Sequence, residues 1–224
     1  MRAAQPTAAK RRAENTLPKP MIRPSKIVCV GRNYVEHAKE LGNEVPKEPL
    51  IFLKPPSSLI NDGQPIHLTN MSKQVEFEGE IGVIIGKRLT RADQHAAQAA
   101  IQAIAAVNDV TARDLQKSDS QWTRAKGFDT FCPVGVPKAA PKDLGSLEVV
   151  TRVNGVERQR GKASQMAFSI PMLLSYISKI MTLEPGDLVC TGTPAGVGTL
   201  QPGDVVEVEV LGVSRVRNPV AAAS

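Results

Sequence analysis

The chain has 224 residues, of which 42% are hydrophobic, and a formal net charge of +6. These values are typical of a globular protein and exclude a fibrous or largely disordered chain. No apolar run approaches the roughly 20 residues that span a bilayer, and the N-terminus lacks the apolar segment of a secretory signal. We therefore expect a cytoplasmic protein that does not bind membranes.

The excess positive charge lies at the N-terminus. Residues 1–26 contain seven Lys or Arg side chains and one Glu, which accounts for the whole net charge. The remaining residues are formally neutral, so they lack the field that directs specific nucleic-acid binding. Residues 1–20 are predicted to be a flexible basic extension, and residues 21–224 a single folded domain. An organelle transit peptide, which would place the protein in an organelle matrix, is the alternative for the extension.

The first half of the chain alternates strand and helix patterns. Ile27–Gly31 is a short apolar strand, and Asn33–Gly42 is predicted to be a helix with its asparagine as N-cap and its glycine as the stop. LIFLKPPSSLI is predicted to be a strand that two prolines interrupt, and PIHL another strand. The Ala-rich segment Arg91–Val107 has apolar residues at helical spacing and is predicted to be the longest helix of this half.

The second half is richer in strand patterns. EVVTRVNGVERQ carries Asn154-Gly155 between two alternating runs and predicts a β-hairpin. Ser169–Met181 is predicted to be a helix with Ser169 as its N-cap. DLVCTGTPAGVG and GDVVEVEVLGVSRVRNPV predict two or three strands separated by turns. The pattern favours an α+β, strand-rich domain with a closed or rolled sheet.

The segment VEFEGEIGVIIG places Glu76, Glu78 and Glu80 at alternate positions of an apolar strand. Side chains alternate along a strand, so the three carboxylates are expected on one face, about 7 Å from one to the next. A solvated acidic face is one interpretation. Because Ile84 continues that face and adjacent carboxylates repel each other, a bound cation is the other.

A second acidic segment, NDVTARDLQ, contains Asp109 and Asp114 on either side of Arg113. Carboxylates without His or Cys partners favour hard cations such as Mg²⁺, Mn²⁺ or Ca²⁺ over zinc. The chain has only three His and three Cys residues, and no CxxC motif. The cysteines are therefore expected to be buried free thiols and not a zinc site or a disulfide framework.

Six segments occur in the order and spacing seen in the fumarylacetoacetate hydrolase family: GRNYVEHAKELG, LIFLKPPSSLI, EFEGEIGVIIGK, NDVTARDLQ, AKGFDTFCPVGV and DLVCTGTPAGVG. The resemblance runs from about Ile27 to Val216 and is to the short members related to acylpyruvate hydrolases and oxaloacetate decarboxylases. It implies a mixed β-sandwich roll with a few peripheral helices as the catalytic domain. It also implies a homodimer.

The resemblance implies that Glu78, Glu80 and Asp109 bind Mg²⁺ or Mn²⁺, which leaves Glu76 in a supporting or solvated position. His37 and Glu40 are three residues apart and lie on one helix face, where they would form a catalytic base and its carboxylate partner. Without the resemblance, an exposed histidine paired with a glutamate is the simpler interpretation.

The resemblance also places Lys126 beside the metal as a catalytic residue, although an isolated loop lysine is usually solvated. The residues expected to contact substrate are Arg32, Arg113, Gln116 and Thr193. Thr193 belongs to TGTPAGVG, which lacks the GK[ST] of a nucleotide-binding loop and is otherwise a tight turn between strands.

The implied activity is divalent-metal-dependent hydrolysis of C–C bonds in small 2,4-dioxo acids such as acetylpyruvate or fumarylpyruvate, with decarboxylation of oxaloacetate at the same site. An isomerase or decarboxylase of 2-hydroxyhepta-2,4-diene-1,7-dioate in aromatic catabolism is the alternative enzyme. A metal-binding β-roll without catalysis is the non-enzymatic alternative. The sequence does not distinguish the substrates.

Overall fold

The computed structural model describes residues 22–40, 42, 44 and 46–223, and these residues form short strands with five short helices. The predicted basic extension, residues 1–20, lies outside the described residues. The strands are β1 Ile27–Gly31, β2 Leu50–Lys54, β3 Leu59–Ile60, β4 Ile66–His67, β5 Val75–Phe77, β6 Gly79–Ile85, β7 Ile101–Asn108, β8 Thr111–Ala112, β9 Cys132–Pro133, β10 Lys138–Ala139, β11 Glu148–Val153, β12 Val156–Lys162, β13 Leu188–Cys190, β14 Gly198–Thr199, β15 Val205–Val210 and β16 Ser214–Ala221. The helices are α1 Val35–Glu40, α2 Gln94–Ala99, α3 Arg113–Ser118, α4 Thr123–Lys126 and α5 Ile170–Ile180. No described helix is long and apolar enough to cross a membrane.

Two larger sheets enclose the main core. One has the strand order β10-β7-β6-β13-β1-β2, and the other has the order β12-β11-β15-β16-β4. Strands β15 and β16 alternate buried and more exposed residues, as expected for a sheet with one face on the core. Strand β6 is buried along its whole length, and its Ile81 and Val83 share an apolar cluster with Val208 and Val210 of β15. This arrangement confirms the strand-rich α+β, sandwich-like prediction.

The local predictions with the strongest sequence signals are confirmed. Strand β1 has the predicted bounds, Ile27–Gly31. Strands β11 and β12 pair as an antiparallel hairpin around Asn154 and Gly155, which adopt φ angles of 52° and 79°. These positive values fit a type I′ turn, which matches the twist of the two strands. Helix α5 begins directly after Ser169, as predicted, although the hydroxyl of that residue makes no capping hydrogen bond.

The helix predicted over Arg91–Val107 is wrong. Only α2, Gln94–Ala99, is helical, and β7 follows it as a strand that pairs antiparallel with β6 along almost its full length. The Ala-rich sequence has good helix propensity, but seven registered pairs with β6 and burial on both faces outweigh that weak preference.

The predicted N-cap of α1 needs correction, whereas its predicted stop does not. Asn33 is not the N-cap of α1, which begins at Val35; its buried side chain instead hydrogen-bonds the backbone of Phe168 and Thr191. The predicted glycine stop is present, because Gly42 has a φ of 70° and its N–H donates to Lys39 O at 2.9 Å. The chain thus leaves β1 through a loop that is tied to two distant segments.

The predicted single strand VEFEGEIGVIIG is two strands in different sheets. Strand β5 ends at Phe77 and β6 begins at Gly79. The break lies at Glu78, whose N–H donates to Asn108 Oδ1 and whose carbonyl accepts from Asp109 N–H at 2.8 Å. The apolar residues on the two sides of the break consequently enter different clusters, Phe77 in one and Ile81 in the other.

Candidate metal centre and active site

Three buried carboxylates converge where β5, β6 and β7 meet. Glu78 lies at the break between β5 and β6, Glu80 on β6, and Asp109 directly after β7. Each offers a carboxylate oxygen within 4.8 Å of the others, and none is more than 5% exposed. The antiparallel pairing of Gly79 with Asn108 brings the two acidic segments together. The structure therefore places the predicted metal ligands in one cluster.

Two buried lysines partly neutralise this cluster. Lys126, at the end of α4, donates to Glu78 Oε2 and Asp109 Oδ2 at 2.7 Å each. Lys54, at the end of β2, donates to Asp109 Oδ1 at 2.6 Å and to the carbonyl of Val110 at 3.1 Å. Both lysines are only 1% exposed, so these ion pairs are shielded from solvent. The prediction placed Lys126 at the site but missed Lys54.

Arg113 links the cluster to the third glutamate of the motif. Its guanidinium donates to Glu76 Oε2 at 2.7 Å, to Glu78 Oε1 at 2.5 Å and to Gln116 Oε1. Glu76 is 6% exposed and is therefore a buried partner of Arg113, not a solvated group. Asp114 accepts hydrogen bonds from the Ser72 hydroxyl and from backbone N–H groups and does not line the site cavity.

The electrostatics distinguish the carboxylates. Burial alone would raise the pKa of Glu78, but the charges of Lys126 and Arg113 outweigh it and hold that pKa far below the usual range. Burial raises the pKa of Glu80 well above its usual value, and the neighbouring charges of Asp109 and Glu78 raise it further. The ionised form is therefore favoured at Glu78 and disfavoured at Glu80.

A divalent cation fits this donor set. Among the described residues Glu80 has no ion-pair partner, and its carboxylate accepts only the backbone N–H of Gly192, at 2.7 Å. A buried carboxylate beside two others is expected to be strongly disfavoured without positive charge. Three carboxylate oxygen donors without His or Cys suit Mg²⁺ or Mn²⁺. The residues present thus match the predicted cation class.

A cavity of about 300 Å³ opens beside the carboxylates, and His37 of α1 lines it. The imidazole is 4% exposed, and its Nδ1 lies 3.1 Å from Glu40 Oε2. The other oxygen of Glu40 accepts the N–H of Gly196 at 2.9 Å, which ties α1 to the TGTPAGVG loop. A Cβ on Gly196 would overlap the carbonyl of Arg158, so glycine is needed for this approach.

The remaining predicted contact residues also line the cavity: Arg32, Arg113, Gln116 and Thr193. The hydroxyl of Thr193 donates to Gly79 O at 2.9 Å and accepts from Gln159 Nε2 at 2.7 Å. Those bonds hold the TGTPAGVG loop against β6, the strand that carries Glu80. Any contact from Thr193 to a ligand would therefore reorganise an existing hydrogen-bond network.

Sequence reasoning missed the apolar wall of the cavity. Phe52 and Trp122 form it, with ring centroids 5.2 Å apart in an edge-to-face arrangement, and the ammonium of Lys126 lies 5.0 Å from the Phe52 centroid. Trp122 is the only tryptophan of the chain and lies close to the Lys126 motif, which was an available signal. Lys54 ends an apolar strand directly before two prolines, and nothing local marked it as a site residue.

The site combines a buried acidic triad that could hold a metal ion with a buried histidine–glutamate pair, on a strand-rich mixed fold. The chain belongs to the fumarylacetoacetate hydrolase family, since the family model described as fumarylacetoacetate (FAA) hydrolase C-terminal matches residues 26–221. This match confirms the resemblance that the sequence motifs indicated.

Two relatives carry names of enzymes that act on oxaloacetate. The mitochondrial oxaloacetate decarboxylase of Dictyostelium discoideum is 46% identical over 195 residues, covering 84% of this chain and 89% of that protein. The mitochondrial oxaloacetate tautomerase FAHD1 of Arabidopsis thaliana is 45% identical over 199 residues, covering 86% of this chain and 89% of that protein. The chain is therefore similar to enzymes over most of its length.

Two solved structures share the fold. A 2-hydroxyhepta-2,4-diene-1,7-dioate isomerase from Mycobacterium marinum superposes with a TM-score of 0.83 at 42% identity, over 91% of this chain and 77% of that one. Fumarylpyruvate hydrolase from Pseudomonas aeruginosa, in complex with Mn²⁺ and pyruvate, gives a TM-score of 0.84 at 28% identity, over 90% and 91%. These neighbours confirm the fold, and both carry the names of enzymes.

Proposed function

We propose that this chain is a divalent-cation-dependent hydrolase of small 2,4-dioxo acids, such as acetylpyruvate and fumarylpyruvate, and that the same site decarboxylates oxaloacetate. The observation that carries the proposal is the convergence of Glu78, Glu80 and Asp109 in a cavity that also contains the buried imidazole of His37. Relatives named for oxaloacetate and fumarylpyruvate chemistry support this substrate class.

The carboxylate triad would hold Mg²⁺ or Mn²⁺. When bound, such a cation polarises the 2-oxo carbonyl of the substrate and stabilises the negative charge that develops as the C–C bond breaks. Lys126 keeps Glu78 and Asp109 oriented with two of its three N–H donors. Its third donor remains for the substrate carboxylate.

His37 is the proposed general base. With Nδ1–H donating to Glu40, the lone pair of Nε2 is available to take a proton from water. The water oxygen adds to the distal carbonyl carbon, the bond between C3 and C4 breaks, and C3 takes up a proton. The products are a carboxylic acid and pyruvate, so the single water molecule accounts for every added atom.

Decarboxylation of oxaloacetate makes a different demand on the same residues. The bond between C3 and the distal carboxylate breaks to release CO₂, and C3 again takes up a proton. No water attacks a carbonyl in this reaction. We therefore expect His37 to matter more for hydrolysis than for decarboxylation.

An isomerase is the second candidate, and the 42% identity to the M. marinum isomerase structure favours it. Such a reaction, like the tautomerisation of oxaloacetate, moves a proton between carbon and oxygen and leaves every C–C bond intact. The same histidine and carboxylates would serve it. Product analysis separates the candidates, because pyruvate appears only when a C–C bond breaks.

The test uses the full chain, stripped with a chelator and assayed with acetylpyruvate, fumarylpyruvate and oxaloacetate, with and without Mg²⁺ or Mn²⁺. His37→Gln is compared with His95→Gln, since His95 is an exposed histidine on α2, outside the cavity. We expect metal-dependent release of pyruvate. His37→Gln should lower kcat/KM for hydrolysis by about 10²–10⁴-fold, and His95→Gln should leave it within twofold.

Equal loss of activity in both histidine variants would contradict the role of His37. Proton exchange or double-bond migration without pyruvate release would replace the hydrolase with the isomerase. Failure of the metal-loaded protein to convert any of these acids in either way would overturn the proposed substrate class.

A further inference from the structure

The cavity wall carries two cations that the proposed chemistry does not use. Arg32, in the loop after β1, and Lys117, on α3, both line the cavity beside the carboxylates. In the part of the chain that the structure describes, neither side chain makes a hydrogen bond or an ion pair. Arg32 is partly buried, whereas Lys117 is exposed. An unpaired, partly buried guanidinium facing a cavity is suited to binding an anion there.

The charges deeper in the site nearly balance one another. The acidic groups of this inner cluster are Glu76, Glu78, Glu80 and Asp109, and Lys54, Arg113 and Lys126 pair with all of them except Glu80. Four negative charges therefore face three positive ones. A dication leaves one net positive charge, which the single carboxylate next to the 2-oxo group neutralises. The positive charge of Arg32 is additional to this balance.

The backbone of Arg32 is held in an unfavourable conformation. Its φ is 57°, in the left-handed region that favours glycine and is strained for an arginine. Both neighbours are fixed: a Cβ on Gly31 would lie only 3.0 Å from the Trp122 ring, and the side chain of Asn33 makes three buried hydrogen bonds. The fold thus imposes a glycine-like conformation on a residue with a long cationic side chain.

We infer that Arg32 is a specificity-determining residue that binds the distal carboxylate of dicarboxylic 2-oxo acids. This inference rests on the proposed function, because it assumes that the carboxylate next to the 2-oxo group binds at the cation site formed by Glu78, Glu80 and Asp109. Phe52 and Trp122 cover the carbon chain between the two ends, and the guanidinium of Arg32 pairs with the far end. Lys117 is exposed, so its charge is screened and contributes mainly to attraction of the dianion.

The position offers an informative substitution. Arg32→Gly removes the guanidinium and fits the φ of 57° without strain, so it is expected to fold. Arg32→Lys keeps the charge but loses the two-pronged geometry. We compare kcat/KM for fumarylpyruvate, which ends in a carboxylate, with that for acetylpyruvate, which ends in a methyl group. Arg32→Gly should reduce the ratio of kcat/KM for fumarylpyruvate to kcat/KM for acetylpyruvate by about 10–100-fold. Arg32→Lys should give a ratio between those of wild type and Arg32→Gly. Lys117→Met should keep the ratio within about threefold of wild type.

A binding measurement separates this inference from the proposed function. Titration calorimetry of the Mg²⁺-loaded protein compares 2-oxoglutarate with 2-oxovalerate, which has the same five-carbon chain but ends in a methyl group. Wild type should bind 2-oxoglutarate at least tenfold more tightly, and Arg32→Gly should abolish that preference.

If wild type cleaves neither dioxo acid but Arg32→Gly still abolishes the binding preference, the proposed function fails and the role of Arg32 stands. The role of Arg32 is overturned if wild type is active but Arg32→Gly changes kcat/KM for the two substrates, and the affinity for the two ligands, by equal factors. It is also overturned if Arg32→Gly changes none of these quantities. The role of Arg32 would also be overturned if Lys117→Met removed the preference for 2-oxoglutarate and Arg32→Gly did not. The distal carboxylate would then bind at the exposed lysine.

Discussion

Replacing Lys126 with methionine tests how the buried charges are balanced. The ammonium donates to Glu78 and Asp109 at 2.7 Å each and is fully buried. The substitution therefore removes one of the two cationic partners of each carboxylate and leaves only Arg113 for Glu78 and Lys54 for Asp109. Removing one member of a buried ion pair costs about 3–5 kcal/mol. For a domain of this size, 1 kcal/mol corresponds to about 2–4 °C in Tm, so the metal-free variant should melt about 6–20 °C below wild type.

A bound dication should offset most of this loss, because it supplies positive charge to the same carboxylates. Scanning fluorimetry or calorimetry with a chelator, and again with saturating Mg²⁺ or Mn²⁺, measures both effects. We expect the Tm difference between variant and wild type to shrink by more than half in the presence of metal. Lys39→Met is the control, since Lys39 pairs with Glu36 on the surface and both side chains are mostly exposed.

The reasoning would be refuted by a metal-free Lys126→Met protein whose Tm lies within 2 °C of wild type. It would also be refuted by a Tm loss that metal does not reduce, because the carboxylates would then not share the charge of the cation. In either case Lys126 would be a packing residue beside Phe52 and not an electrostatic partner of the ligands.

Three further substitutions test the framework around the site. A Cβ on Gly79 would overlap the buried hydroxyl of Thr151, so Gly79→Ala should cost about 3 kcal/mol in chemical denaturation, and clearly less in a Thr151→Ala background; equal costs in both would contradict the clash. Asn33→Ala should lower the free energy of unfolding by about 3 kcal/mol, because it removes three buried hydrogen bonds; a loss below 1 kcal/mol would contradict this. Burial alone would raise the pKa of Asp187, but hydrogen bonds from Lys26, Ser25 and backbone N–H groups outweigh it and lower that pKa. Its ionised form therefore stabilises the fold at neutral pH, so the stability gap between wild type and Asp187→Asn should shrink as pH falls below 3.8, and a gap independent of pH would refute the assignment.

Signals within a few residues predicted much of the local structure. The Asn154-Gly155 turn, the apolar strand Ile27–Gly31 and the helix after Ser169 all formed where the sequence placed them. Each depends on local chemistry: positive φ at a two-residue turn, a short apolar run and a polar residue before a periodic segment. The motif order also predicted the family and the residues Glu78, Glu80 and Asp109, which the fold brings together.

Only the tertiary structure decided which local preferences survive. Ile101–Asn108 is Ala-rich and prefers a helix in isolation, yet pairing with β6 makes it a strand and carries Asp109 to the glutamates. The break at Glu78 is likewise held by Asn108, 30 residues away, whose Oδ1 accepts the N–H of Glu78. Lys54 reaches the carboxylates from the end of β2, a distant segment that carries no local sign of the site. Sequence by itself determined the residue types and the short-range elements. Pairing between segments far apart in the chain fixed the positions of the charged side chains. The physical reason is that burial and strand pairing outweigh helix and strand propensities of a few tenths of a kcal/mol per residue.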